Sequence, residues 1–414
     1  MENKNFNVNY AVLLGFLSLI TAGSLLLWAL GNYYYNLNLS LLDAVFTSVS
    51  AVCTTGLTVI DFAGVPYVMQ IVLTVLIQCG GLGIMSLITF IITRDYRDII
   101  KVCIISVLIE LIGIVPLYWA FAKSFEPIRA FRYAAFHSVS AFCNAGFSLF
   151  SYNLTPYVRG LAVSGVIMLL VILGGLGFII LRDIWNFIFK REKIPGRSLL
   201  AVQVTFWLII VGTFLIYLSE RAHSLRDLPL SRTIWNALFF SVASRTGGFN
   251  TAPLGLLSGT GIFILVFLMT VGTSPASTGG GLKTTNFGIL ILSVIQNLMG
   301  RKKIAYHGQI VAMNTIISAL SFAAVYMMAL LGGTLLLAAS TEGAFSLRAL
   351  FFEAVSAIGN AGLSLGITPM LPSLSKIIVI LLMLLGRVGM AVFFIRSVES
   401  ENINKVKFKS ERDF

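Results

Sequence analysis

Eight long apolar stretches limit what this 414-residue sequence can fold into. A helix needs about 20 apolar residues to cross a bilayer, and each stretch is long enough to do so. Apolar residues make up 57% of the chain and charged residues only 11%, whereas a soluble domain carries roughly a quarter charged residues. These proportions exclude a soluble globular protein and a disordered chain. We expect an all-α polytopic membrane protein with transmembrane helices near 10–30, 66–93, 99–121, 156–182, 198–218, 260–298, 308–338 and 373–398.

A shorter element of about a dozen helix-compatible residues occurs four times, each time between two of these stretches. Each copy is too short to span a bilayer and ends in a polar segment with a glycine at the same place: Gly56, Gly146, Gly248 and Gly362. Short apolar segments with glycine are common in membrane proteins, but four copies in register are hard to obtain by chance. We interpret the chain as four units of helix, re-entrant pore helix, loop and helix. The units are 1–98, 99–197, 198–304 (with a broken last helix) and 305–398, followed by a tail, 399–414.

The distribution of Lys and Arg predicts the orientation in the membrane. Lys4, the short loops after the even-numbered stretches and the C-terminal segment hold 17 of the 29 Lys and Arg residues, and the opposite side holds 9. Basic loops stay in the cytoplasm, so we expect both termini inside the plasma (inner) membrane. Most of the net charge of +12 then reflects topology and not nucleic-acid binding, with docking of a cytoplasmic partner as the remaining alternative.

The polar segments that end the four short elements have the properties of an ion filter. Irregular backbone at membrane depth must be buried in protein or line a wet cavity, so the four segments should meet around one axis. Glycine permits positive φ and close backbone approach, and carbonyl oxygens can replace the water shell of a cation. The segments contain no carboxylate, which favours a monovalent cation. The candidate ion-binding residues are Cys53, Thr54, Thr55, Gly56, Cys143, Asn144, Ala145, Gly146, Thr246, Gly247, Gly248, Gly359, Asn360, Ala361 and Gly362.

A run rich in glycine, serine and threonine interrupts the sixth stretch. Pro275 and the glycines around it cannot continue a regular helix, so residues 272–285 should unwind beneath the filter and form a movable barrier. The alternative is a kink that only permits close helix packing. Lys283 would oppose passage of a cation unless it moves or pairs. The candidate gate residues in this run are Gly272, Ser277, Thr278, Gly279, Gly280, Gly281 and Lys283.

Further ionisable residues lie at membrane depth, where charge is costly and usually functional. Arg387, in the last stretch, could pair with Glu110 or with helix C-terminal carbonyl groups. We expect Glu110 to make a polar contact between helices, with a counter-charge for Lys283 or Arg387 as the alternative. Arg245 directly precedes the third filter segment and is interpreted as a brace of that loop, paired with an acid such as Glu353.

Other classes of function receive less support from the sequence. It has no HExxH or P-loop motif and no paired-carboxylate arrangement on one helix, which argues against an enzyme. A broken helix is compatible with an alternating-access transporter, but a four-fold repeat is not the usual two-fold inverted repeat. His137, in the second short element, is expected to pack or hydrogen bond there and not to bind a metal.

The sequence resembles the KtrB/TrkH superfamily of potassium transporters over nearly its whole length. The likeness rests on the four filter segments, on Gly80-Gly81-Leu82-Gly83, on 277–285 and on Gly386-Arg387-Val388-Gly389. The length and the number of apolar stretches are most like the KtrB branch. The resemblance implies four M1–pore helix–M2 units in a quasi-four-fold arrangement around one pore, K⁺ bound in the filter, an intramembrane gating loop, and Arg387 as a positive barrier close to that loop.

The resemblance also implies an ion and partners. In the family, glycine at the first filter position favours K⁺ and serine accompanies Na⁺ permeation, so Gly56 favours channel-like potassium uptake. A sodium-permeable or weakly selective cation transporter is the alternative, and Na⁺ is a possible second ion. Gly247 and Met390 depart from the family's usual residues. We expect a homodimer in membrane lipid, a cytoplasmic Rossmann-type (RCK/KTN) regulatory ring, no organic cofactor and no nucleic acid.

Overall fold

Helices form nearly all of the regular structure in the computed structural model, which describes residues 2–93, 95–301 and 303–389, with side chains from Leu14 onward. In chain order the helices are α1 (Glu2–Ala29), α2 (Leu41–Val52), α3 (Tyr67–Thr93), α4 (Tyr96–Phe121), α5 (Pro127–Phe142), α6 (Leu161–Lys190), α7 (Gly196–Glu220), α8 (Leu230–Ala243), α9 (Gly259–Thr270), α10 (Thr284–Leu298), α11 (Met313–Ser340), α12 (Leu347–Gly359) and α13 (Ser373–Leu384). A two-stranded antiparallel hairpin, β1 (Ala305–Tyr306) and β2 (Gln309–Ile310), precedes α11. The predictions for Met390 and for the tail, 399–414, lie outside the described residues.

Six helical segments in the described part of the chain are long and apolar enough to cross a membrane, where the sequence predicted eight. They are Leu14–Tyr34, Tyr67–Thr93, Tyr96–Phe121, Leu161–Lys190, Gly196–Glu220 and Met313–Ser340. The sixth predicted span is divided into α9 and α10 because the chain between them is not helical. The eighth begins as α13, continues through a π-helical turn, Leu385–Gly389, and then leaves the described residues.

The four short helices α2, α5, α8 and α12 form the buried centre of the molecule. Local signals start them: the side chains of Ser40 and Ser346 accept hydrogen bonds from the backbone N–H groups of Asp43 and Ala349, and Pro127 opens α5. An N-cap hydroxyl satisfies one of the free N–H groups of the first turn, and proline is favoured at the first helical position. We call these four helices the pore helices.

A serine attaches three of the pore helices to the long helix that precedes each of them. Ser48 Oγ donates to the Ile20 carbonyl oxygen at 2.9 Å, Ser138 Oγ to that of Glu110 at 2.7 Å, and Ser241 Oγ to that of Ile209 at 2.9 Å. A glycine on the long helix faces each serine (Gly23, Gly113 and Gly212). Because small residues allow helices to approach closely in a membrane, these pairs fix the pore helices inside the ring of long helices.

An ion pair joins the first pore helix to the last described α-helix. Lys376 Nζ on α13 lies 2.7 Å from Asp43 Oδ1 on α2, and both side chains are mostly buried. The two residues are 333 positions apart in the chain. The contact therefore connects the beginning of the fold to its end.

Candidate ion site

The four loops after the pore helices share a pattern of two positive φ angles. In each loop two residues, separated by one position, adopt the left-handed region that favours glycine. The φ values are 50° and 94° for Thr54 and Gly56, 54° and 69° for Asn144 and Gly146, 66° and 71° for Thr246 and Gly248, and 49° and 77° for Asn360 and Gly362. The four loops predicted as filter segments therefore share this φ pattern as well as the glycine at the same place in the sequence. We call them loops 1 to 4 and their glycines the ring glycines.

The ring glycines lie against one another's loops. A Cβ atom on Gly56 would lie 3.1 Å from the Cα of Gly146, and one on Gly146 would lie 2.6 Å from the Cα of Gly248. A Cβ on Gly362 would lie 3.1 Å from the Cα of Gly248 and would overlap the carbonyl oxygen of Thr55. The loops therefore follow one another in the order 1, 2, 3, 4 and close back on loop 1. A side chain at any of these four positions has neither the room nor the favoured φ.

The N–H groups before the ring glycines turn away from the ring. Those of Thr55, Ala145 and Ala361 donate back to carbonyl groups of their own pore helices at 2.7–2.8 Å. In the described part of the chain, no donor is bonded to the buried carbonyl oxygens of the two residues that precede each ring glycine: Thr54, Thr55, Asn144, Ala145, Thr246, Gly247, Asn360 and Ala361. A buried carbonyl group without a partner is costly. A desolvated cation is the kind of ligand that offsets this cost.

A cavity of about 470 Å³ gives access to one side of the ring. Gly56 and Gly146 line it, together with Asp61, Ser148 and Asn153. We call this cavity the vestibule. Asp61 is exposed there, so the vestibule carries a negative charge that attracts cations. The vestibule can therefore deliver a hydrated cation to the ring glycines.

The non-helical segment between α9 and α10 touches all four units, and we call residues 271–283 the gate segment. The carbonyl oxygen of Thr278 accepts a hydrogen bond from Thr54 Oγ1 at 3.0 Å, and Thr278 Oγ1 donates to the Phe142 carbonyl oxygen at 3.0 Å. A Cβ on Gly279 would overlap Thr246 Oγ1, and a Cβ on Gly280 would lie 2.9 Å from the Cβ of Asn360. Residues 278–280 thus lie directly against one residue at the end of each pore helix or in its loop: Thr54, Phe142, Thr246 and Asn360.

The gate segment is ordered by hydrogen bonds and not by helical structure. Its two ends pair, since the Gly272 N–H donates to the Leu282 carbonyl oxygen at 3.0 Å. The N–H groups of Ser274 and Thr278 donate to Gly175 and Gly174 of α6 at 3.0 and 3.2 Å. Irregular backbone inside a membrane protein requires such internal partners. The helix break predicted at 272–285 is observed at 271–283.

Two buried cations hold the gate segment by its carbonyl groups. Lys283 Nζ donates to the Gly279 carbonyl oxygen at 2.7 Å. The Arg387 guanidinium donates to the carbonyl oxygen of Thr278 and, at 3.3 Å, to that of Gly80 on α3. Among the described residues no carboxylate lies within ion-pair distance of either cation. The sequence left open Glu110 or helix C-terminal carbonyl groups as partners of Arg387. The observed acceptors are neither of these, since Thr278 lies in the gate segment and Gly80 lies in the middle of α3.

Glu110 lies behind loop 2 and not at the gate segment. One of its carboxylate oxygens accepts from Gln78 Nε2 of α3 at 2.8 Å, and the other lies 3.8 Å from the Cys143 sulfur. Cys143 Sγ is also 3.5 Å from Gln78 Oε1. This is a polar contact between helices, which is the interpretation that the sequence favoured.

The expected pairing of Arg245 with Glu353 is wrong. Arg245 Nη2 donates to the Gly272 carbonyl oxygen at 3.1 Å and lies 3.4 Å from Thr205 Oγ1. Glu353 instead accepts from Ser364 Oγ at 2.8 Å and from Thr368 Oγ1, both in the chain that follows loop 4. The two side chains lie in different units, and each hydrogen bonds to polar groups of its own unit. Arg245 thereby fixes the start of the gate segment.

Some residues of the site were missed from the sequence. Gln78 and Thr205 are polar residues within long apolar helices, which is the signal that could have identified them. Ser148 and Ser364 contact pore-helix side chains and both lie two positions after a ring glycine. Aligning the four units beyond their glycines would have drawn attention to this position.

The chain is similar to known cation transport proteins. The chain matches the family described as TrkH, cation transport protein, over residues 12–99 and 91–406. It is 33% identical over 394 residues to the Ktr system potassium uptake protein B of Bacillus subtilis, covering 88% of each chain. It is 32% identical over 385 residues to the potassium/sodium uptake protein NtpJ of Enterococcus hirae, covering 85% of this chain and 84% of that one. The fold is similar to the crystal structure of the potassium transporter TrkH from Vibrio parahaemolyticus, with a TM-score of 0.75, 22% identity, and coverage of 94% of this chain and 84% of that chain.

Proposed function

This chain belongs to the TrkH family of cation transport proteins and is not an enzyme, and we propose that it takes up potassium ions across the plasma membrane by a channel-like mechanism. The observation that carries the proposal is the ring of four glycine loops with buried carbonyl oxygens that accept no hydrogen bond from the described residues. Neutral oxygen ligands suit a monovalent cation. A membrane potential contributes about 2.3 kcal/mol per charge per 100 mV, which is enough to concentrate K⁺ inside a cell.

The ion is bound, in this proposal, by the fifteen candidate filter residues, with backbone carbonyl groups as the main ligands. The four units, 1–98, 99–197, 198–304 and 305–398, surround one pore with quasi-four-fold symmetry and contribute eight transmembrane helices. α9 and α10 together form one of these helices, and α13 with its continuation forms another. The shared φ pattern and the closed order of the ring glycines support this arrangement.

The gate segment closes the pathway beneath the ring in the proposed mechanism. Residues 278–280 lie against all four units, and a cation that leaves the ring on that side must pass them. Lys283 and Arg387 add positive charge where K⁺ would pass. Movement of the segment, with loss of the Arg387–Thr278 hydrogen bond, opens the pathway.

Sodium is the second candidate ion, and one observation favours it. The relative from Enterococcus hirae is named a potassium/sodium uptake protein. Gly56 favours K⁺ through the resemblance to the family, whereas the absence of a filter carboxylate in the sequence fits either monovalent cation. A Na⁺-permeable or weakly selective cation transporter is therefore the alternative function of the same site.

Partners complete the proposal. Relatives are named as components of a Ktr system, which supports a separate regulatory subunit for this chain too. We expect a homodimer in membrane lipid, with both termini in the cytoplasm and a cytoplasmic Rossmann-type ring beneath. The basic loops on the predicted cytoplasmic side supply a docking surface of suitable charge.

Rescue of a transport-deficient bacterium tests the proposed function. The wild-type chain should restore growth at low external K⁺. The variants Gly56→Ser and Gly248→Ser should alter ion selectivity, and a deletion of 277–282 should alter flux. If the serine variants transport K⁺ with unchanged selectivity, the filter assignment is wrong, and if the deletion leaves flux unchanged, the gate assignment is wrong.

A further inference from the structure

In two of the four units, a side chain of the pore helix hydrogen bonds to a side chain in the segment that follows the loop. The two bonds join equivalent positions. His137 on α5 and Glu353 on α12 each lie nine residues before a ring glycine, and Ser148 and Ser364 each lie two residues after one. His137 Nε2 is 3.1 Å from Ser148 Oγ, and Ser364 Oγ donates to Glu353 Oε2 at 2.8 Å. Each bond therefore spans its loop, from the pore helix before the ring glycine to the chain after it.

The direction of these bonds follows from their other partners. His137 Nδ1 is 2.7 Å from the Tyr133 carbonyl oxygen, which can only accept. The proton of the neutral ring is then on Nδ1, so Nε2 accepts from the Ser148 hydroxyl group. The Ser148 oxygen in turn accepts from the Phe150 N–H at 3.1 Å. In the fourth unit the Ser364 oxygen likewise accepts from the N–H of the residue two positions later, Gly366, at 3.0 Å.

The first unit lacks this connection. Thr47 lies at the position of His137 and Glu353, and its Oγ1 atom has no hydrogen-bond partner among the described residues. Thr58, at the position of the two serines, donates instead to the Ile60 carbonyl oxygen at 2.6 Å.

The third unit lacks it as well. Its pore helix carries Phe239 and Phe240 at this level, and neither side chain can accept a hydrogen bond. Asn250, two residues after the ring glycine, uses its amide to donate to the Ala252 carbonyl oxygen at 3.1 Å. Since the loops follow one another in chain order around the ring, the connected loops 2 and 4 are diagonally opposite.

We propose that His137 and Glu353 are positioning residues that hold the two diagonally opposite loops 2 and 4 at the width required to prefer K⁺ over Na⁺. The inference rests on the proposed function of the ring. Both side chains are fully buried. The His137 ring is stacked on Phe150 with centroids 5.0 Å apart and lies 5.6 Å from the ring of Phe121. These aromatic contacts pack the His137 ring in place on α5.

Removing only the serine hydroxyl groups tests the proposal with little risk to folding. The variants Ser148→Ala and Ser364→Ala leave both pore helices unchanged, and Thr47→Val is a matched control at the unconnected position. The readout is the ratio of K⁺ to Na⁺ flux into proteoliposomes at a fixed voltage. One neutral hydrogen bond corresponds to roughly two- to ten-fold in an equilibrium. We expect a decrease of about that size in the flux ratio for each serine variant, a larger decrease for the double variant, and no change for Thr47→Val.

Conservative and non-conservative replacements of the two positioning residues give a second readout. His137→Gln keeps an acceptor and Glu353→Gln keeps one carbonyl oxygen, so these variants should retain more selectivity than His137→Leu and Glu353→Leu. The proposal is overturned if both serine variants keep the wild-type flux ratio, or if Thr47→Val changes it equally. A wild-type protein that conducts no K⁺ would instead contradict the proposed function, so the two failures are distinguishable.

Discussion

The guanidinium group of Arg387 donates a hydrogen bond to the carbonyl oxygen of Thr278, 109 residues earlier in the chain. The same carbonyl oxygen accepts from Thr54 in loop 1. One backbone oxygen of the gate segment is therefore shared by a residue of the ring and a residue of the last described helical turn. Movement of the gate segment away from the ring must break the bond to Thr54, and it breaks the bond to Arg387 as well unless the last described turn moves with the segment.

Replacing Arg387 should increase K⁺ flux. In Arg387→Ala the gate segment loses a charge-assisted hydrogen bond, and the pathway loses a positive charge beneath the ring. Such a bond contributes about 1.5–3 kcal/mol, so we expect flux at fixed voltage to rise by roughly ten-fold or more. Arg348→Ala is the matched control, because Arg348 is exposed. Equal flux through wild type and Arg387→Ala would show that this arginine does not hold the gate segment closed.

Adding one methyl group to a ring glycine should lower the preference for K⁺. Gly248 has a φ of 71°, and a Cβ on it would lie 2.6 Å from the Cα of Gly146. Alanine at this position must therefore displace its own backbone or the neighbouring loop. We expect Gly248→Ala to reach the membrane with a lower ratio of K⁺ to Na⁺ flux than the wild type. Gly332→Ala on α11, where no atom lies within 4 Å of the added carbon, should keep the wild-type ratio, and an equal decrease in both variants would exclude a specific effect at the ring.

Glu220 should matter for stability and not for selectivity. This fully buried carboxylate at the end of α7 accepts from Ser258 Oγ at 2.6 Å and Ser224 Oγ at 2.7 Å. Ser258 also caps α9, so the acid connects α7 to the helix that leads into the gate segment. Glu220→Ala leaves these donors without their acceptor and should cost about 2–3 kcal/mol of stability.

Thermal unfolding of the purified protein in detergent measures this effect. We expect a clear decrease in Tm for Glu220→Ala, a smaller one for Glu220→Gln, and an unchanged ratio of K⁺ to Na⁺ flux in both. A changed ratio with an unchanged Tm would assign Glu220 to the ion pathway instead.

The long helices could be predicted from the lengths of the apolar stretches, because the thickness of the bilayer sets how many apolar residues a spanning helix needs. The stretch predicted at 66–93 is helical over Tyr67–Thr93, and that predicted at 198–218 over Gly196–Glu220. The ring glycines were found because four copies of one pattern reveal positions that one copy does not. The helix break at 271–283 was visible because proline and adjacent glycines exclude a regular helix locally.

The partners of buried charges could not be predicted in the same way. Arg245 and Arg387 each bind backbone carbonyl groups, and every residue supplies a carbonyl group, so composition carries no signal for this choice. The pairing of Arg245 with Glu353 failed for that reason. The π-helical turn at Leu385–Gly389 is set by packing around Arg387 and Gly386 against loop 4 and the gate segment, which are distant in the chain.

Ion competition in proteoliposomes that contain wild type or Gly56→Ser tests the central claim most directly. Voltage-driven uptake of K⁺ would be measured against increasing external Na⁺. A ring of carbonyl oxygens predicts K⁺ uptake that Na⁺ inhibits weakly in the wild type and strongly in Gly56→Ser, because a Cβ on Gly56 would overlap the carbonyl oxygen of Ala145 in the ring. The same Na⁺ sensitivity in both proteins would contradict the assignment of these four loops as the selectivity filter.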